Sequence, residues 1–157
     1  MRILAIDPGT MHSGYVIYDR EAHQVLESNA ARENFDLLHY MNVAEFTYDV
    51  VAVERFAAMG MAIGESSIAT IMFTGRLLEA ADMLGVATAA IKRAEVKLHL
   101  CGSARAKDKN VAAAVWDRFG GDRKTAKGTK KAPGPCYGVS GHAVQALAAA
   151  ITYAETR

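Results

Sequence analysis

Residues 2 to 7 carry apolar side chains on both parities, Ile3 and Ala5 against Leu4 and Ile6, with almost nothing polar between them. A strand without a polar face is buried on both sides, so RILAID reads as a buried strand. Pro8-Gly9 breaks it. GYVIYD (Gly14–Asp19) and HQVLES (His23–Ser28) follow as further strands, and the short links predict an antiparallel meander. Phe35, Leu38, Met41 and Phe46 recur at near-helical spacing and predict a helix over Glu33–Phe46, after which VVAVE (Val50–Glu54) is another apolar strand ending on a carboxylate. The strongest helical signal runs from Glu65 to Leu84. There Ile68, Ile71, Met72, Gly75, Leu78 and Leu84 recur at three and four residues, a stripe that faces a core or a partner. Gly85 stops that helix, and VATAAI (Val86–Ile91) is a fifth strand. A short helix at about Ala94–Leu100, a basic turn and a helix at about Asp108–Phe119 come next. Gly120–Gly138, rich in Lys, Gly and Pro, predicts a mobile loop. Ser140 is placed to cap a final helix running to about Glu155. Three strands, a helix, strand–helix alternation and a closing helix predict an α/β domain with a mixed sheet.

Composition narrows the class. A chain of 157 residues, 51% hydrophobic and 22% charged, is the size and make-up of one globular domain, which excludes a disordered chain and most two-domain enzymes. No repeat or domain boundary interrupts it, so residues 1–157 are expected to form a single domain. Cys101 and Cys136 cannot build a disulfide framework, and free thiols fit a reducing cytoplasm. Asp7 and Pro8 stand where a signal peptide needs its apolar stretch, and no apolar run reaches the roughly 18 residues of a membrane span. A cytoplasmic protein without a membrane partner is expected.

The net charge of +1 names no partner, but its distribution does more. Between Ser103 and Pro135 nine basic residues, Arg105, Lys107 and Lys109 among them, stand against three acidic ones. A positive lobe on an acidic body is what a phosphate-backbone binder needs near a cation-binding carboxylate cluster. A solvated basic loop would look the same.

Asp7 ends the first strand and is followed by Pro-Gly-Thr, and Glu54 ends VVAVE in the same way. Singly, the first reads as a turn and the second as a strand reaching water. If their strands are adjacent, both carboxylates converge on one edge of the sheet. His142 and Gln145 are three residues apart and share a face of the last helix, where a lone histidine is more often a packing or capping residue than a ligand.

ILAIDPGT…SGY, VAVERF, VKLHLCGSARAKDKNVAAAVWDRFG and SGHAVQALAAAITYAE, in this order, resemble the RuvC family of Holliday-junction resolvases over nearly the whole chain, and the size resembles its compact, phage-type members. The resemblance implies an RNase H-like fold: a five-stranded mixed sheet, strands 1–3 antiparallel, flanked by helices. It also implies a metal-dependent endonuclease that resolves branched DNA by paired nicks. Asp7, Glu54, His142 and Gln145 take the places of its metal-binding catalytic residues. Gln145 stands where a carboxylate is expected. Phe56 is the candidate for the aromatic residue at the junction crossover, although its spacing from Glu54 differs from the family's. Arg105, Lys107 and Lys109 fall in the basic segment that contacts DNA phosphates. The implied cofactor is Mg²⁺, with Mn²⁺ as a substitute, and the implied partners are a four-way junction and a second copy of the chain, with Glu65–Leu84 as candidate interface.

Three alternatives stay open. With Gln145 neutral, the chain would bind junctions and cut them weakly or not at all. An RNase H-like nuclease acting on RNA or hybrids is another. A phosphotransferase of the actin and sugar-kinase type also opens on Asp-x-Gly-Thr, but needs two such domains. Gly138 to Ala149 contains no carboxylate, so a second metal ion is expected to bind weakly before DNA arrives.

Overall fold

The computed structural model describes residues 1–43, 47–57, 60 and 62–157. Five strands, β1 (Arg2–Asp7), β2 (His12–Asp19), β3 (Gln24–Glu33), β4 (Val50–Arg55) and β5 (Ala87–Lys92), form one sheet in the order β3-β2-β1-β4-β5. The first three pair antiparallel as a meander, and β4 and β5 add in parallel beside β1. The α/β class and the mixed sheet therefore form as expected.

Helices cover both faces. Strand alternation divides β1 between two cores. Ile3 and Ala5 face α3 (Arg93–Cys101), α4 (Asp108–Asp117) and α6 (His142–Thr156), whereas Leu4 and Ile6 face α1 (Asn34–Val43) and α2 (Glu65–Met83). All four are fully buried, which is why this segment has no polar parity. Phe46, expected in the first helix, lies outside the described residues.

Two expectations are corrected. The Gly120–Gly138 segment is an ordered excursion. It holds a short helix, α5 (Arg123–Lys127), capped by Asp122, whose side chain accepts from the Thr125 amide. Ala126 and Cys136 are fully buried, and the Cys136 amide donates to the Ala126 carbonyl. The Val25 amide on β3 donates to Pro135, tying the segment to the sheet. Burial pushes the Cys136 thiol up to about 12, which leaves it a packing group. Nor does Ser140 cap the last helix. Gly141 holds that position at φ 52°, and Ser140 contributes only its carbonyl, to Ala143.

The α2 helix differs from the expected stripe in an informative way. Phe73, Leu77 and Ala81 are its buried side, while Ile68, Ile71 and Met72 of the predicted stripe face outward. Among the described residues no helix is long and apolar enough to cross a membrane.

Candidate active site

Parallel register puts Ile6 of β1 beside Val53 of β4, so Asp7 and Glu54 follow on adjacent strands. Ile6 and Val53 belong to the α1/α2 face. Alternation therefore turns both carboxylates toward the opposite face, under α3 and α6. Convergence at one sheet edge, conditional in the sequence, is what this register produces.

The turn after Asp7 is held by a buried network. The Gly9 amide donates to Ser13 Oγ, which donates to Asn34 Oδ1 at 2.7 Å. Asn34 Nδ2 in turn donates to the Gly9 and Thr10 carbonyls. A Cβ on Gly9 would lie 2.1 Å from the His12 carbonyl oxygen, so this glycine serves the turn itself. Asn34 gave no signal in the sequence.

His142 opens α6, and its Nδ1 lies 2.9 Å from Asp7 Oδ2. With Asp7 ionised, Nδ1 carries the hydrogen and donates it, which leaves Nε2 as a free acceptor. Closeness of α6 to the sheet makes this contact. A Cβ on Gly14 would sit 2.4 Å from the His142 carbonyl carbon and 2.5 Å from its Cβ. Gly14→Ala should push the start of α6 off β2, lowering stability by about 1–3 kcal/mol and breaking the Asp7–His142 pair. Thermal unfolding and the histidine resonances in NMR measure the two effects. An unchanged melting temperature with an unchanged His142 environment would refute the steric account.

Asp7, Pro8, Arg93, Asp108, Gly141, His142 and Gln145 line one cleft of about 440 Å³. A second, of about 260 Å³, adjoins it through Asp7 and Arg93 and includes Glu54, Phe56 and Thr70. All four expected ligand positions and the Phe56 side chain thus border connected space. Arg93 and Asp108, which the sequence did not single out, stand among them. Arg93 Nη1 donates to Glu54 Oε1 at 2.5 Å, and its Nη2 lies 2.9 Å from Asp108 Oδ1. Their signal was available in principle: Arg93 is the first residue after β5, and Asp108 the first of α4, both helix starts at the same end of the sheet. Asp108 thus brings to the cleft of Gln145 a carboxylate that the sequence near it lacks, with one oxygen already held by Arg93 and Lys97.

Burial raises the pKa of Asp7, and His142 and Arg93 only partly offset it. Burial likewise raises Glu54, with Arg93 opposing and Asp7 adding to the rise. Burial is the largest single influence on Asp108 and raises its pKa, but Arg93 and Lys97 together outweigh it and hold the pKa below the ordinary value. Glu54 Oε2 is buried without a hydrogen-bond partner among the described residues. Two desolvated carboxylates side by side, one with an orphaned oxygen, fit a cation. Among the described residues, no three His, Cys, Asp or Glu side chains close into a ready-made cage. One oxygen of Glu54 is held by Arg93 instead, and one of Asp7 by His142.

A groove of about 430 Å³ is lined by Ser103, Arg105, Lys107, Lys109 and Asn110. It shares the start of α4 with the first cleft, because Asp108 lies between Lys107 and Lys109. Arg118, by contrast, is paired with Glu155 at 2.8 Å and drops out of the free basic block.

Two solved structures match the fold over 98% of the chain and 93% of their own length. Thermus thermophilus RuvC superposes with a TM-score of 0.69 at 24% identity. The same protein in complex with a Holliday junction substrate gives 0.67 at 22% identity. The fold is that of RuvC. No family model matches the sequence, and no curated protein does. In this RuvC fold the two clefts lie at the carboxyl ends of β1 and β4, where open α/β sheets place their ligands.

Proposed function

We propose that the chain is a divalent-metal-dependent endonuclease that resolves four-way DNA junctions. The observation that carries this reading is the pairing of Asp7 with His142 beside Glu54, at the strand ends of a RuvC fold. Asp7, Glu54 and His142 would hold the metal, with the Gln145 amide oxygen as a neutral fourth donor. Bound there, a divalent ion supplies charge neutralisation at a phosphate and acidifies a water.

The chain's own groups do the rest. Asp7 holds Nδ1 of the His142 ring, so that Nε2 of a neutral ring would be the nitrogen left to accept. Arg105, Lys107 and Lys109 hold backbone phosphates, and their groove leads past Asp108 to the site. Paired nicks need two sites. Ile68, Ile71 and Met72 on α2, with Met11 and Phe35 nearby, form an exposed apolar surface that suits a second copy of the chain. Phe56 is 41% exposed at the rim of the Glu54 cleft and would meet a base at the crossover.

The test is nicking of a synthetic four-way junction in Mg²⁺ and in Mn²⁺, against linear duplex and an RNA–DNA hybrid. Symmetric nicks on the junction alone support the reading. Equal cutting of the hybrid would make the chain a general nuclease of this fold, and tight junction binding without nicks a structural binder. The neutral Gln145 and the hold of Arg93 over Glu54 are what favour a structural binder.

Gln145 shares its cleft with Asp7 and His142. Gln145→Asp adds an anionic oxygen there and should lower the Mg²⁺ concentration for half-maximal cleavage by roughly tenfold. A magnesium titration of the nicking rate measures it. No gain, or a loss, would mean that Gln145 plays no part in holding metal.

A further inference from the structure

Arg93 is a cation that the chain itself carries into the carboxylate cluster. Its guanidinium forks between Glu54 at 2.5 Å and Asp108 at 2.9 Å, and Lys97 lies 3.5 Å from the same Asp108 oxygen. It borders both clefts that meet at Asp7. One oxygen of Glu54 is thereby neutralised, and the other is buried and unpartnered among the described residues. Any divalent ion beyond the first would have to share this space with a fixed positive charge, and like charges a few ångströms apart in a poorly solvated cleft repel strongly.

We propose that Arg93 replaces one of the two divalent ions expected at this site, so that the chain binds a single ion, at Asp7. The inference rests on the nuclease reading above. Charge balance favours it: one divalent ion, Arg93 and Lys97 bring +4 against the −3 of Asp7, Glu54 and Asp108, and a bound phosphate would supply the remainder. Two ions beside Arg93 would exceed them. It also gives Gln145 a physical reason, since a site balanced in this way needs no fourth carboxylate on α6. Arginine suits the role because its planar fork spans two carboxylates, which the single ammonium of lysine cannot do with the same geometry.

The experiment is a Mn²⁺ titration of the full chain without DNA, read by the electron paramagnetic resonance of free Mn²⁺ and by calorimetry. Wild type should bind one ion per chain, and Asp7→Asn should lose it. Arg93→Gln releases Glu54 and Asp108 together and should bind a second ion, whereas Arg93→Lys should stay at one. Two ions on the wild-type chain, or none, would overturn the proposal, as would an unchanged count in a folded Arg93→Gln. Should that variant fail to fold, the wild-type titration repeated on a junction with uncleavable phosphate linkages decides the matter, since a second ion there would overturn the proposal. Asp108→Asn, which frees only one arm of Arg93, must then also stay at one. Because no DNA is cut, the outcome is separate from the proposed function. A chain that binds one ion yet leaves junctions intact would sink the nuclease reading and keep this inference.

Discussion

Asp7→Asn should reduce junction nicking by about 10³-fold or more, the scale of the several kcal/mol that a correctly held metal ion contributes to such a reaction. Junction binding should persist, because the phosphate groove around Arg105, Lys107 and Lys109 lies apart from Asp7. The same variant should be more stable at neutral pH. Burial raises the folded-state pKa of Asp7, so its ionisation works against folding once the pH exceeds that value. A carboxyl group raised in this way contributes most in acid, below its unfolded pKa, and that contribution is lost as the pH rises through the folded one. Asparagine carries no such charge. Its melting temperature at pH 7 should exceed that of wild type, by about 2–4 °C for each kcal/mol relieved in a chain of this size. The gain should shrink toward acid pH. Nicking and thermal unfolding, measured on the same preparation, separate the two effects. Parallel loss of binding, cleavage and stability would make Asp7 a turn residue and nothing more.

Replacing Arg105, Lys107 and Lys109 together by alanine should weaken junction binding by roughly tenfold to a hundredfold at moderate salt. It should also flatten the dependence of log K on log salt by about 0.9 for each duplex-arm phosphate that is no longer neutralised. All three side chains are exposed, and Lys107 only precedes α4 as its cap residue without a side-chain capping bond. The fold should therefore survive, with an unchanged circular dichroism spectrum and melting temperature. A binding isotherm repeated at several salt concentrations gives the slope. An unaltered slope would move the DNA surface to another part of the basic segment, such as Lys130 and Lys131.

Much of this was legible in the sequence because it depends on local periodicity. RILAID, with apolar residues on both parities, could only be a strand covered on both faces. The short links after it could only return as hairpins. Asp7 and Glu54 were visible as charges ending apolar strands, and His142 with Gln145 as one face of a helix. What the sequence could not contain is register. A shift of one residue between β1 and β4 would have moved Asp7 and Glu54 out of step, and nothing local fixes that pairing. The outward turn of Ile68, Ile71 and Met72 escaped for a similar reason. Phe73 and Leu77 define an equally good apolar stripe, and only packing on the sheet chooses between them.

The segment from Gly120 to Gly138 misled through composition. Lysine, glycine and proline favour solvent and turns, but Ala126, Cys136 and Val139 are enough to anchor it once a core exists to receive them. By itself, then, the sequence determined the strands, the helices other than α5, and the residues able to carry charge to the strand ends. Only the tertiary structure decided which charges meet. It brought Arg93 from the end of β5 and Asp108 from the start of α4 to Glu54, across 39 residues in the first case. Pairings at such separations are set by how whole layers pack, and no spacing along the chain records them.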